Sequence, residues 1–263
     1  MNENAMTQYE KARVFADLHR KGDPVILYNI WDAGSAAAVT EAGAKAIATG
    51  SWSVAAANGF ADGEKLPRDV LVSAAKAIAA TTALPVTIDF EGAYANDPAT
   101  AAENVALICD TGAVGINFED QVVGGTGLHA VADQAARIAA IRAMADARGL
   151  AFFINARTDL FLKEKDLSRH AGLMDEAIAR ADAYARAGAS GLFVPGLADP
   201  ELIRTVCAAT SLPVNIMMRA GVPDVAVLAQ CGVSRISHGP YPYIAMMERL
   251  KEGARAAFGL PAA

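Results

Sequence analysis

The sequence predicts a closed (β/α)8 barrel in one domain. Eight short, β-rich apolar runs alternate with longer Ala-rich helical runs along 263 residues, a length that suits one such barrel. The runs are apolar almost throughout rather than alternating, as strands covered on both faces are. The helix-to-strand connections also repeat. Glu41-Ala-Gly-Ala, Asp110-Thr-Gly-Ala, Arg186-Ala-Gly-Ala and Gln230-Cys-Gly-Val each set a glycine where a helix ends, the place of a left-handed cap. A doubly wound open sheet is the alternative topology.

Taken in order, residues 1–7 read as an unstructured lead, and a helix over 8–20 is placed to plug the bottom of the barrel. Strands are predicted at 25–30, 46–49, 86–89, 115–118, 152–156, 191–194, 214–217 and 235–237. Between them lie helices, among them 99–110, 132–147, 174–187 and 224–229, and a last helix covers 243–257. Asp23-Pro-Val, Leu84-Pro-Val and Leu212-Pro-Val open three of the strands. No linker or low-complexity stretch divides residues 1–263.

Hydrophobic residues make up 53% of the chain, enough for a large core and against disorder. The net charge of −6 argues against a nucleic-acid partner, which needs a basic face. No apolar stretch is long enough to span a bilayer, and the first residues lack the apolar segment of a secretory signal. Cys109, Cys207 and Cys231 are dispersed, with no metal or redox spacing, and read as small buried residues. A cytoplasmic protein with no membrane partner is expected.

Barrel active sites sit at the C-terminal ends of strands. Strand 3 ends Asp89-Phe-Glu91-Gly92, strand 4 ends Glu119-Asp120, strand 5 ends Ala156-Arg157-Thr-Asp159 and strand 8 ends Ser237-His238-Gly239. Asp89, Glu91, Glu119 and Asp120 are therefore expected at one rim. Crowded carboxylates repel, and all-oxygen ligands favour Mg2+ or Mn2+ as the neutraliser. Arg157 reads either as a bidentate clamp for a substrate carboxylate or phosphonate, or as a partner of Glu119 or Asp120 alone. Gly50-Ser51-Trp52 after strand 2 offers backbone N–H groups to an anion. The stretch 55–65, with Gly59 and Gly63, suits a lid, and the glycine-rich 121–129 suits a gate. His129 and His238 are candidate acid–base groups, whereas His19 and His170 read as surface residues.

Assembled, these motifs resemble the isocitrate lyase / phosphoenolpyruvate mutase superfamily over roughly 28–249. The marks are Tyr28-Asn-Ile-Trp-Asp32, Thr49-Gly50-Ser51, Asn58-Gly-Phe-Ala-Asp62, Asp89-Phe-Glu91-Gly92, Phe118-Glu119-Asp120 and Ala156-Arg157-Thr-Asp159. The resemblance implies a Mg2+ site held by Asp89, with Glu91 and Glu119 partly through water, and α-oxo-acid chemistry. It implies that Arg157 and the backbone of Gly50, Ser51 and Trp52 bind the substrate, with Tyr28 beside them. It also implies that Asp62 sits on a gating loop near the transferred group, and that the assembly is a homodimer or homotetramer, in some members with the last helix exchanged between subunits.

The chain departs from that pattern in loop 4. Gln121-Val-Val-Gly-Gly replaces the Lys-Cys-Gly-His motif of the lyase branch and the lysine and asparagine of the mutase branch. The expected activity is thus a Mg2+-dependent C–C lyase or decarboxylase acting on a small α-oxo dicarboxylate such as oxaloacetate through an enolate, with Arg157, Asp62 and His238 as catalytic candidates. The alternatives are P–C chemistry (phosphoenolpyruvate or carboxyphosphonoenolpyruvate mutase, or phosphonopyruvate hydrolase) and a non-catalytic α-oxo-acid-binding barrel.

Overall fold

The structure, a computed structural model, describes residues 6–261. Eight parallel strands form the sheet: β1 (Val25–Leu27), β2 (Ile47–Ala48), β3 (Val86–Asp89), β4 (Gly115–Glu119), β5 (Phe153–Arg157), β6 (Gly191–Phe193), β7 (Val214–Met217) and β8 (Arg235–Ser237). Each pairs with its sequence neighbours and β1 pairs with β8. The ring closes between β1 and β2 through an Ile30–Thr49 bridge, with Ile30 N–H donating to the Ala48 carbonyl at 2.9 Å. The α-helices among the described residues are α1 (Gln8–Asp17), α2 (Ala33–Glu41), α3 (Ser51–Ala57), α4 (Arg68–Thr81), α5 (Pro98–Cys109), α6 (Val131–Ala147), α7 (Leu160–Lys163), α8 (Met174–Arg186), α9 (Pro200–Ala209), α10 (Val225–Gln230) and α11 (Tyr241–Ala257). The expected barrel is the observed one, and among the described residues no helix is long and apolar enough to cross a membrane.

Local chemistry sets the element ends. Asp97 and Asp199 cap α5 and α9 through backbone N–H groups, each followed by proline at the first helical position. Gly112 and Gly188 adopt φ of +93° and +95°, so the repeated glycine is the left-handed residue that turns a helix back into a strand. Of the lead expected to be unstructured, residues 1–5 lie outside the described residues. Thr7 is instead the N-cap of α1, in a reciprocal capping box with Glu10.

Strand side chains alternate between two faces. Ile88, Ile116, Ile154, Leu192, Ile216 and Ile236 face the helices and are fully buried. The alternate positions face the barrel interior, and there the sequence departs from an apolar filling: Thr87, Asn117, Asn155, Asn215 and Arg235 lie inside, all buried. Asn155 donates to Asn117 Oδ1 at 2.9 Å, and Arg235 crosses the interior from β8 to the same oxygen at 3.0 Å.

Helix α1 closes the bottom, as expected. Phe15 packs edge-on against Phe153 at 5.3 Å and lies under the Arg235 guanidinium. Full burial of such a ring stabilises by about 2 kcal/mol. His19 and His170 are buried, not surface residues. His19 stacks on Phe153 at 4.1 Å and bonds the Phe15 carbonyl at 2.7 Å, and His170 packs on Phe161 while its Nε2 meets the Glu164 carbonyl. His170 is thus a satisfied core residue, whereas His19 Nε2 is buried with no partner among the described residues, and the sequence marks neither position as buried. Cys109, Cys207 and Cys231 are buried free thiols.

Candidate active site

A cavity of about 170 Å3 opens at the C-terminal ends of the strands. Drug-sized sites run to roughly 300–1,000 Å3, so this one suits a small molecule. It is lined from one side of the ring by Asn29, Gly50, Ser51, Trp52, Asp62 and Asp89. From the opposite side, near β5 to β7, come Arg157, Leu162, Phe193, Pro195 and Met217, with Asn117, Ser237, Gly239 and Pro240 completing the wall.

The two-residue strand period decides which rim residues enter. Asp89, Glu119 and Arg157 all project inward. Glu119 and Arg157 are direct register partners on β4 and β5, and their side chains pair at 3.0 Å. Asp120, one residue on, points out to α8 instead. There it accepts from the Tyr184 hydroxyl at 2.7 Å, from Arg180 at 3.1 Å and from Asp159 N–H at 3.0 Å. The expected convergence of four carboxylates therefore loses Asp120, a fully buried strut between β4 and α8. The same parity displaces Tyr28 and His238. Tyr28 is 48% exposed, and the two rings meet each other at 5.1 Å outside the cavity lining. Their inward neighbours Asn29 and Ser237 take those places. Asn29 also fastens the rim, accepting His238 and Gly239 N–H at 2.7 and 2.9 Å and donating to the Thr49 carbonyl at 2.8 Å.

Arg157 is more heavily engaged than a free clamp. Besides Glu119 it forms a two-pronged pair with Asp159 through Nε and Nη2. Burial works against its charge, but Glu119 and Asp159 outweigh burial and hold the guanidinium well above its ordinary range. Burial, opposed by Arg157 and reinforced by Asp159 and Asp89, raises the Glu119 carboxyl. Burial and then the charge of Asp62 push Glu91 up to about 8, and burial and then Asp89 raise Asp62. Acids this crowded lack positive charge.

Asp89 fits a cation. Its Oδ2 accepts Ser51 N–H at 3.0 Å and its backbone N–H is held by Thr49 Oγ1 at 2.8 Å, whereas Oδ1 is buried with no partner among the described residues. A buried carboxylate oxygen without a donor is an unusual expense unless something positive meets it. Glu91 Oε2 is occupied by Glu64 N–H at 2.8 Å, and Glu119 by Arg157. Among the described residues no three His, Cys, Asp or Glu side chains converge tightly enough to form a ligand cluster. Asp89, Glu91 and Glu119 thus do not make a ready three-carboxylate cage. The arrangement suits an ion that takes one direct carboxylate from the protein and keeps waters for the rest, as Mg2+ does. Because Ser51 N–H is committed to Asp89, it holds that carboxylate in place rather than pointing free into the cavity.

The two loops behave differently. Asp62, on the 58–66 connection, faces the cavity. Loop 4 folds into a small hairpin with a Gln121–Leu128 bridge, and Lys163 ties it down through Gln121 Oε1 at 2.9 Å. His129 lines a neighbouring polar hollow with Arg137 and Glu64, away from the first cavity. Arg137 braces the acidic turn from below, donating to the Gly92 and Ala95 carbonyls at 2.6 and 2.9 Å. Among the residues that sequence reasoning did not select, Asn29 and Ser237 were signalled by strand parity. Leu162, Phe193, Pro195 and Met217 carry no chemical signature, and Glu64 acts through a backbone conformation that no residue type announces.

Comparison with known proteins agrees with this geometry. The phosphoenolpyruvate phosphomutase family matches residues 15–258. The chain is 35% identical over 242 residues to uncharacterized protein Rv1998c of Mycobacterium tuberculosis H37Rv, covering 92% of this chain and 88% of that one. It is 50% identical to a Burkholderia cenocepacia J2315 protein solved as a candidate phosphonomutase, with a TM-score of 0.91 over 96% of this chain and 99% of the other. A phosphonopyruvate hydrolase solved with oxalate and Mg2+ shares the fold at a TM-score of 0.82 and 20% identity, over 97% and 89% of the two chains.

Proposed function

The chain belongs to the phosphoenolpyruvate phosphomutase family, and from that premise we propose a Mg2+-dependent C–C lyase or decarboxylase that acts on a small α-oxo dicarboxylate of the oxaloacetate type. Mn2+ would serve in place of Mg2+. The observation that carries the choice is the wall formed by Leu162, Phe193, Pro195 and Met217 across from Asp89. Among the described residues Arg157 is the one cationic side chain lining the cavity, and Glu119 and Asp159 already neutralise it. A phosphonate dianion placed against the apolar wall would lack a counter-charge. A carboxylate leaving as CO2 loses its charge in the same surroundings, so the wall disfavours the reactant more than the transition state.

Asp89 would hold the ion directly, with Glu91 and Glu119 reaching it through water. The ion would supply Lewis-acid polarisation of the keto-carboxylate end and a counter-charge for the electrons left when the bond breaks. Arg157, held by Glu119 and Asp159, would turn only its remaining N–H groups to the retained carboxylate. Asn117 and Ser237 offer neutral hydrogen-bonding groups along the substrate. Asp62, which lines the cavity and whose carboxyl is raised by burial and then by Asp89, would return a proton to the carbanionic carbon. His238, outside the lining, has no part in that step.

The test is turnover of oxaloacetate beside phosphonopyruvate, with and without Mg2+, in the native chain and in Asp62→Ala. Mg2+-dependent CO2 release from oxaloacetate is expected. Turnover selective for phosphonopyruvate and lost in Asp62→Ala would replace this reading with P–C chemistry, and ligand binding with no product by NMR would replace it with a binding barrel.

A homo-oligomer is part of the same reading. Along the seventeen residues of α11 only Pro242 is buried, while Met246 and Leu250, one turn apart on the same face, are 52% and 63% exposed. An apolar face of that kind calls for cover, and a second copy of the chain supplies it.

A further inference from the structure

The connection that carries Asp62 is fastened to the acidic turn after β3 by a reciprocal pair of contacts. Glu64 N–H donates to Glu91 Oε2 at 2.8 Å, and Glu64 Oε1 accepts Tyr94 N–H at 2.7 Å. The Tyr94 hydroxyl returns to the Leu66 carbonyl at 2.9 Å. Glu64, Glu91, Ala93 and Tyr94 all have positive φ, of 57°, 49°, 59° and 54°. Side chains rarely adopt that backbone, and residues held there are over-determined by their surroundings. Gly92 makes the approach possible, since a Cβ there would come within 3.0 Å of Glu64 Oε1.

We propose that Glu64 is a positioning residue that couples the Asp62 loop to the metal site, a role that rests on the Mg2+ reading above. Its N–H fixes one oxygen of Glu91, and its carboxylate fixes the turn from which Glu91 projects. Seating the loop therefore brings Asp62 to the cavity and sets the Glu91 carboxylate in one act. Without the Glu64 side chain the two strained segments are no longer tied, and Glu91 loses its fixed orientation. Groups that orient ligands in this way typically change metal affinity by 10–100-fold when removed.

The test uses the full chain. Mg2+ affinity is measured by calorimetry, and amide exchange is followed over residues 91–95. Glu64→Ala is expected to weaken Mg2+ binding by at least about tenfold and to speed exchange at Gly92 and Tyr94. Glu64→Gln keeps the backbone donor and an oxygen for Tyr94, and is expected within about threefold of the native affinity, a smaller effect than loss of a ligand-orienting group. Glu64→Gly relieves the left-handed backbone and must still show the loss. Native Mg2+ affinity in either Glu64→Ala or Glu64→Gly overturns the proposal, as does a loss in Glu64→Gln equal to that in Glu64→Ala. A native chain that binds no Mg2+ overturns the proposed function instead. The exchange arm then decides the latch alone: unchanged exchange in Glu64→Ala overturns it, and faster exchange confined to 91–95 supports it.

Discussion

Replacing Asp89 by asparagine separates the cost of the acidic site from its purpose. The new amide keeps an oxygen for Ser51 N–H and nearly the same volume, but the change removes one of the charges that crowd Asp62, Glu91 and Glu119. Without metal, the variant is expected to be at least as stable as the native chain. With metal the order reverses. An ion present at one hundred times its dissociation constant adds about 2.7 kcal/mol to the native fold. Unfolding entropy of about 2.1 cal/mol/K per residue gives roughly 0.55 kcal/mol/K for a chain of this length, so Mg2+ raises the native Tm by about 5 °C. Asp89→Asn is expected to show less than about 1 °C, the oxygen that lacks a protein partner having been replaced by an amide NH2, which cannot ligate a cation. The assay is thermal unfolding by circular dichroism with and without Mg2+. A full shift in Asp89→Asn, or a metal-free variant several degrees less stable than the native chain, refutes the reasoning.

Four more outcomes follow from the same structure. Asp120→Ala leaves the Tyr184 hydroxyl and Asp159 N–H without their buried acceptor, while Arg180 keeps Glu176, and should cost about 1–3 kcal/mol per stranded donor in denaturant unfolding while leaving Mg2+ affinity intact, since Asp120 is a strut. Burial, then the Arg235 charge, depresses His19 to about 3, so the unfolded chain takes up a proton below pH 6.5 that the fold refuses until pH 3. Stability is therefore complete above pH 6.5 and falls through that window, by up to about 5 kcal/mol; His19→Phe should flatten the fall in urea titrations run from pH 7 to 4. Leu162→Lys sets a cation beside the departing carboxylate and should lower both KM and kcat for oxaloacetate, kcat by about tenfold or more; an unchanged kcat in steady-state assays speaks against the apolar wall as the source of selectivity. Leu250→Glu with Met246→Glu should convert an oligomer to monomer by light scattering, and a native chain already monomeric at micromolar concentration removes the case for that interface.

Most of the barrel is legible in the sequence because two signals agree there. Strands β3, β7 and β8 fall on the expected residues, where proline entries or glycine caps bound a short apolar run. The polar inner layer is less legible. Asn117, Asn155 and Arg235 sit in runs that read as apolar, and only closure of the ring brings β8 across to β4. At the site, residue type finds Asp89, Glu91, Glu119 and Arg157, but type alone cannot say which way a rim residue faces. Counting by twos from the strand core separates Asn29 from Tyr28, Glu119 from Asp120 and Ser237 from His238. Glu64 escapes even that count, because its role depends on a left-handed turn that begins outside any strand.

Tyr243, near the start of α11, meets Trp31 at 5.1 Å and Trp52 at 5.9 Å, and Trp52 is itself a wall of the cavity. The helix left most open to a neighbouring molecule thus leans, at its first turn, on the mouth through which a reactant enters. Whatever settles that helix also trims the doorway, so dilution that frees α11 would be felt as slower or less selective turnover even though no residue near the ion had changed.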